Sequence, residues 1–390
     1  ASGSGVITVT APNTSTDRTI TLPDSTDTLI GTATTDALTT RVNGAGGRKN
    51  MVYNGAMQVA QRGTSTTDGN GYGVDRFRGN VANMDNLVVA LTQNSVTDLP
   101  QFTKSLKVTT NTAESAIAAN EYYRVFQQIE SQDCQQFAYG TSSAKSVTIS
   151  FWVKSSITGT YALSVYADAS AGTRVIGGTY AIGSANTWEK KTITLAGDTG
   201  RVMDNDNTEG FRINWIMGAG TDYTSANNTS WGAYANNKLA YGQGTNAVIT
   251  TANATWEVTG VQLELGSVAT DFEHRSYGEE LALCQRYYYL LGSGANSTLC
   301  TAFSFASSQM SAYITLPVTM RAAPSLDTTS GTDYYRYSNG TNVNMTGVAL
   351  DTVSNKVASI YKGSLSVTQG QAGMFLGIHS SSYLAFSSEL

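Results

Sequence analysis

Trp256-Glu-Val-Thr-Gly-Val-Gln-Leu-Glu-Leu-Gly266, followed by Phe272-Glu-His-Arg-Ser-Tyr-Gly-Glu-Glu-Leu-Ala-Leu-Cys-Gln-Arg-Tyr-Tyr-Tyr289, decides how this chain is organised. The first run alternates as a strand does, with one break. Trp256 and Val258 fall on even positions, while Val261, Leu263 and Leu265 fall on odd ones. A strict strand cannot turn both sets to one face. Gly260 stands between them, and glycine accommodates the extra residue of a β-bulge. A bulge at or beside Gly260 is therefore expected. The second run reads as a helix over about Tyr277–Leu291. Ser276 with Glu279 forms a capping box, Glu279 and Glu280 occupy the first turn, and Leu281, Cys284, Tyr288 and Leu291 follow at steps of three and four. At about four turns it must pack on something to persist, either the neighbouring sandwich or symmetry copies of itself.

Strand patterns extend on both sides. Val147, Ile149, Phe151 and Val153 alternate with Thr148, Ser150, Trp152 and Lys154. Phe211, Ile213, Trp215 and Met217 alternate in the same way. Many short strands with polar, Gly-rich turns and no helical pattern between them point to a sandwich or jelly roll. Beyond Gly292 the strand pattern returns. Pro317 inside Tyr313–Pro324 marks an edge or a strand break, and Asn339-Gly340 marks a hairpin turn. The chain is expected to be all-β: a jelly-roll β-sandwich over 47–275, one short linking helix over 276–291, and a second, smaller β-sandwich over 292–390.

Residues 1–46 read differently. Val6–Pro12 and Thr19–Asp24 form a weak repeat of two short strands closed by proline. So few polar residues bury no core of their own. They are expected to be an extended N-terminal β segment, serving as a shaft or attachment piece against another chain or particle. Gly44-Ala-Gly-Gly47 then reads as a flexible joint.

Composition narrows the function. Only 14% of the 390 residues are charged, against a usual ~25%, and Thr, Ser, Asn and Gly take their place. The net charge of −5 comes without a basic block, so the footprint of a nucleic-acid binder is missing. No apolar run approaches the ~20 residues that span a bilayer, so membrane insertion is not expected. Cys134, Cys284 and Cys300 are odd in number and widely spaced. That argues for reduced thiols made in a cytoplasm rather than a disulfide framework.

Candidate chemistry is sparse. The two histidines, His274 and His379, stand in no nucleophile-elbow or metal-ligand context. Asp204/Asp206, Asp271/Glu273 and Glu279/Glu280 are neighbours in sequence, which is not the carboxylate pair a glycosidase sets across a sugar. The chain is not expected to be an enzyme. Asp204-Asn-Asp-Asn-Thr-Glu209 places oxygens at alternate positions, as hard cations prefer. A structural calcium on Asp204 and Asp206 stands beside the plainer reading, an Asx-rich turn. The best binding hint is Tyr223-Thr-Ser-Ala-Asn-Asn-Thr-Ser-Trp231-Gly-Ala-Tyr234. Flat rings stack on the apolar faces of sugars while amides reach their hydroxyls. Tyr223, Trp231 and Tyr234 are thus the candidate carbohydrate contacts. For Trp231 the plainer reading, a cover on the end of the sandwich or a subunit contact, is the favoured one. Tyr334, Tyr335 and Tyr337 make a second, weaker candidate.

Three segments resemble one family. Asn50-Met-Val-Tyr-Asn-Gly-Ala-Met-Gln-Val-Ala-Gln-Arg-Gly63, closing with Asp75-Arg76-Phe77, is similar to the start of the jelly-roll domain of phage tail-fibre proteins. Trp256–Tyr289 resembles its end and the hinge to the next β-domain. Ala385-Phe386-Ser387-Ser388-Glu389-Leu390 resembles the ending of such fibres. The resemblance implies a homotrimer, a carbohydrate-binding-module-like sandwich and adhesion to a host-surface polysaccharide. It also implies a place in the virion tail, assembled in the host cytoplasm, with residues 1–46 meeting other tail proteins. Within the family, Arg76 and Gln262 are expected to pin loops or subunits rather than hold sugar. A virion structural or decoration component, and a polysaccharide-degrading tailspike, remain the alternatives. A full fibre carries a long shaft, so the short stretch before the sandwich leaves open a short form, a truncated one or attachment elsewhere on the particle.

Overall fold

Period-two alternation becomes two antiparallel sheets packed face to face. A computed structural model describes residues 49–245 and 247–390, so the readings made on residues 1–46 and on Gly44–Gly47 lie outside the described residues. One sheet has six strands in the order Ser65–Thr66, Val88–Ser95, Lys104–Thr112, Thr255–Leu265, Val147–Ser155, Glu189–Leu195. The other has seven: Gly232–Ala233, Arg174–Ile182, Gly159–Ala167, Glu209–Ala219, Tyr122–Glu130, Phe77–Ala82, Tyr72–Val74. Both predicted alternations supply the core between them: Val147, Ile149, Phe151 and Val153 face Phe211, Ile213, Trp215 and Met217. Burying a side chain of this kind contributes roughly 1.5–3 kcal/mol. The all-β jelly-roll-type architecture stands.

Gly260 sits at φ +61°. The pairing of Thr255–Leu265 with Val147–Ser155 slips there, from Thr259↔Trp152 to Gln262↔Ser150. The slip turns Trp256 and Val258, and then Val261 and Leu263, into the same core. The expected bulge is present.

The helix is shorter than its pattern suggested. It spans Tyr277–Gln285, with the Ser276 hydroxyl accepting from the Glu279 amide at 3.3 Å. Tyr288, read as part of the helical face, instead opens a strand, Tyr288–Ser293. That strand pairs with Tyr383–Ser387 near the C-terminus. Consecutive tyrosines favour strand geometry, and a waiting partner strand satisfies their backbone groups at long range. The linking helix over 276–291 is therefore corrected to Tyr277–Gln285.

Beyond it, a three-stranded sheet (Tyr288–Ser293, Tyr383–Ser387, Ser325–Thr328) packs on a second seven-stranded sheet. The order in the latter is Asn342–Met345, Tyr335–Ser338, Ala372–Gly377, Ser297–Ala306, Gln309–Thr315, Val357–Lys362, Ala349–Val353. This is the smaller sandwich. Gln309–Thr315 stops just before Leu316-Pro317, and Asn339–Thr341 closes the hairpin with Gly340 at φ +100°. Tyr335 and Tyr337 are fully buried in its core, and Tyr334 lies flat on His379 at 4.2 Å. Tyr335 and Tyr337 thus belong to the core while Tyr334 stays partly exposed, so the three do not make one binding surface.

The described residues belong to one compact unit, and the region read as a hinge is cross-braced. The segments that carry the family resemblance meet there. Arg76, 3% exposed, pairs with Glu389 and lies over the Tyr287 ring at 3.5 Å. Arg62 also reaches Glu389, at 3.0 Å. Gln61 donates to the Tyr288 carbonyl at 2.7 Å and accepts from the Leu290 amide at 3.3 Å. Glu280, on the helix, accepts from the Asn54 amide. Gln262 bonds Glu264 at 3.0 Å and accepts from the Glu273 amide at 2.8 Å. Arg76 and Gln262 pin loops, as expected.

Candidate functional site

The segment from Tyr223 to Tyr234 folds as a clamp over the outer face of the first seven-stranded sheet. A four-residue helical turn, Thr221–Thr224, opens it, and Gly232–Ala233 closes it as an edge strand. Asn227 caps the turn between, accepting from the Thr229 amide and hydroxyl, both at 2.7 Å. The Asn228 carbonyl takes the Gly177 amide at 2.8 Å. A Cβ on Gly177 would lie 2.4 Å from the Asn228 side chain. Glycine there is what lets the clamp approach.

The clamp separates the three candidate aromatics. Tyr223 is 9% exposed and meets Tyr122 edge-on at 4.7 Å, so it props the clamp from beneath. Tyr234 is exposed, edge-on to Tyr166 at 5.0 Å, with its hydroxyl on Asn236 at 3.0 Å. Trp231 packs toward the opposite side, against the core and edge-on to Tyr139 at 5.6 Å. Its indole Nε1 donates to the Ala196 carbonyl at 2.6 Å. The ring is half-buried and fixed in orientation, so it both covers the sandwich and remains available.

Trp231 forms one wall of an open recess of ≈ 540 Å³ where the edges of the two sheets approach. Arg174 and the Gly177-Gly178 pair come from one sheet, and the edge strand ending at Leu195 comes from the other. Arg174 Nε lies 2.6 Å from Asp198 Oδ2, and Asp198 is 1% exposed. Its second oxygen accepts from the Gly200 amide at 2.9 Å. The pair thus holds the guanidinium at the recess. Thr199, Thr229 and Ser230 complete the lining. A flat ring facing hydroxyls and one oriented cation is chemistry for a polyhydroxylated ligand.

A largely buried arginine–aromatic platform was missed in the sequence. On the outer face of the same sheet, the Arg124 guanidinium lies 5.2 Å from the Tyr122 ring, 5.2 Å from Phe126 and 5.9 Å from Tyr166. Arg212 lies 5.1 Å from Phe126 and 5.5 Å from Tyr166. Arg124 also donates to Asn214 at 3.0 Å and Asn80 at 3.2 Å. Glu209 holds Arg212 through Nε at 2.6 Å. The signal was present: Tyr122, Arg124 and Phe126 alternate with core residues Tyr123 and Val125, and Arg212 and Asn214 alternate with Phe211 and Ile213. Arg124, Phe126, Tyr166 and Asn214 are buried, and Tyr122 and Arg212 are only partly exposed, so this platform supports the clamp and offers no open surface to a ligand.

Asp204 and Asp206 are engaged separately. Asp204 accepts from the Ser170 hydroxyl at 3.1 Å and from its amide. Asp206 accepts from the Thr208 amide at 3.0 Å and its hydroxyl at 2.7 Å. Those bonds hold the Asp206 carboxyl below the usual carboxylate range. Among the described residues no cluster of three or more His, Cys, Asp or Glu could hold a metal ion. The local geometry is that of an Asx turn. His274 sits 4.9 Å from Phe272 and 5.4 Å from Phe102, within the packing near the joint.

Neither a protein-family model nor a curated protein matches this sequence. Solved structures with partial likeness include the enzymatically active domain of Bacteriophage CBA120 tailspike protein 4. It is 13% identical over 55% of this chain and 21% of its own, with a TM-score of 0.30. The chain thus spans about a fifth of that tailspike domain. The family 11 carbohydrate-binding module of a Clostridium thermocellum cellulase is 12% identical over 55% of this chain and 99% of its own, at 0.28. A tandem pair of carbohydrate-binding modules from Paenibacillus barcinonensis is 9% identical over 88% and 99%, at 0.28. Overlaps this low identify neither a family nor a ligand, and the fold rests on the sheets themselves.

Proposed function

We propose that this chain is an adhesive protein of a phage tail fibre or fibre tip, and that it holds a host-surface polysaccharide without cleaving it. Three copies act together, and residues 1–46 meet other virion proteins. Linking three weak sites raises avidity through effective concentration. The observation that carries the reading is Trp231. Its half-buried ring, fixed by the Ala196 carbonyl, faces an open, hydroxyl-lined recess beside the Arg174–Asp198 pair.

The test is binding of the purified chain to host cells, non-host cells and isolated surface polysaccharide, beside Trp231→Ala and Trp231→Phe. Selective host binding that falls at least ~tenfold in Trp231→Ala supports the reading; Trp231→Phe should retain part of it. Equal binding by all three proteins removes Trp231 from the contact. Released oligosaccharides select a degrading tailspike instead.

A second reading, a virion component serving assembly, draws on the joint. Every segment that carries the family resemblance lies in or beside that structural brace. A chain indifferent to glycans, held in the particle by neighbouring proteins, selects it.

A further inference from the structure

Three adjacent central strands of the C-terminal seven-stranded sheet, Ala372–Gly377, Ser297–Ala306 and Gln309–Thr315, contain no charged residue. One face of this sheet packs into the core through Met310, Ala312, Ile314, Ile360 and Phe375. The opposite face is open. Phe305 is 60% exposed, Tyr313 63% and Met374 49%. Phe303 links the first two, stacked on Tyr313 at 5.8 Å and edge-on to Phe305 at 6.5 Å. A contiguous apolar sheet face of this kind is a docking surface.

The margins of the face carry opposite charges. Arg336 lies between core residues Tyr335 and Tyr337, so its side chain points outward on the strand Tyr335–Ser338. Asp351 lies on the strand at the other end of the sheet, where it accepts from Ser359 at 3.4 Å. Each is met by a neutral side chain, Arg336 by Asn344 at 2.9 Å. A partner that fits needs an uncharged centre, a negative margin opposite Arg336 and a positive one opposite Asp351. Copies of this face arranged in a ring meet these conditions together, with the uncharged centres turned to one axis and each Arg336 margin beside the Asp351 margin of the next copy.

We propose that copies of the chain associate through this face, with the Arg336 margin of one meeting the Asp351 margin of the next. Three such head-to-tail contacts close around a common axis. The proposal deepens the self-association named above and rests on it.

The experiment is light scattering on the full chain over a range of concentrations, beside Tyr313→Lys, Phe305→Lys, Arg336→Asp and the double variant Arg336→Asp/Asp351→Arg. All four positions are on the outer surface, and circular dichroism checks the fold of each. The expected result is a trimeric wild type, with either lysine variant dissociating at concentrations at least ~tenfold higher than wild type. Arg336→Asp should weaken assembly and the double variant should restore it. A wild-type monomer overturns both the self-association and the face. An oligomer that ignores the lysine variants overturns the face alone, and failure of the double variant to restore assembly overturns the opposed margins.

Discussion

Arg286, the residue that ends the helix, grips Glu130 at the end of a sandwich strand with two hydrogen bonds. Nε lies 2.6 Å from Oε1 and Nη2 lies 2.7 Å from Oε2. Glu130 is fully buried and also accepts from the Tyr287 hydroxyl at 2.5 Å. The contact ties the sandwich to the chain leading into the C-terminal sheets. Two parallel bonds from a planar guanidinium also fix the angle between them.

Arg286→Ala should therefore destabilise the whole compact unit. A buried carboxylate that loses its cation costs about 3–5 kcal/mol. The low end applies here, because the Arg286 side chain is still 26% exposed. Glu130→Gln keeps the shape and removes the buried charge, so it should cost less. Urea unfolding of the three proteins checks the order. Equal midpoints would mean that the pair does not brace the joint.

Gly260→Ala tests the bulge. The residue needs a left-handed backbone, which costs a side-chain-bearing residue about 1–2 kcal/mol. A Cβ there would also sit 2.5 Å from the Phe102 ring, and such overpacking adds about 1–3 kcal/mol. Gly63 is the control: it too has positive φ, at +100°, but nothing lies within 4 Å of its Cβ direction. Thermal melts should place Gly260→Ala well below Gly63→Ala.

Arg124→Ala should leave the Asn214 carbonyl oxygen without its Arg124 partner in a site with no solvent access. A buried polar atom stranded in this way costs about 1–3 kcal/mol. Adding Asn214→Ala should then cost less than Asn214→Ala alone, and a double-mutant cycle measures the coupling. Additive losses would mean that the outer platform is not held together by this bond.

What the sequence disclosed was local. Gly260, Ser276, Pro317 and Asn339-Gly340 each act within a few residues, and each does what its chemistry requires. The helix was overextended because Tyr288 and Leu291 continue its spacing by coincidence, and a strand some hundred residues away in sequence claims them. The outer platform was hidden because Arg124 and Arg212 meet only once two strands are in register. Trp231 was legible as an aromatic among amides, but its separation from Tyr223 depends on which side of the clamp each ring takes. The braces are least local of all: Arg76 and Glu389 stand 313 residues apart.

Alkaline pH should unfold this protein in a cooperative step led by its tyrosines. Burial raises the Tyr123, Tyr139, Tyr166, Tyr180 and Tyr288 hydroxyls well above their ordinary range. Tyr383 is pushed up to about 12, first by burial and then by its hydrogen bond to Asp327 at 2.8 Å. Each of these groups holds its proton more tightly in the fold than in the unfolded chain. The stability they contribute is therefore complete below the ordinary value of 10.0 and is lost as pH rises toward the folded values. Tyrosinate absorbance should rise only partly near that ordinary value, then jump together with the loss of the circular-dichroism signal. Smooth ionisation of all 21 tyrosines around their ordinary value, with the fold intact, would contradict the packing described for these rings.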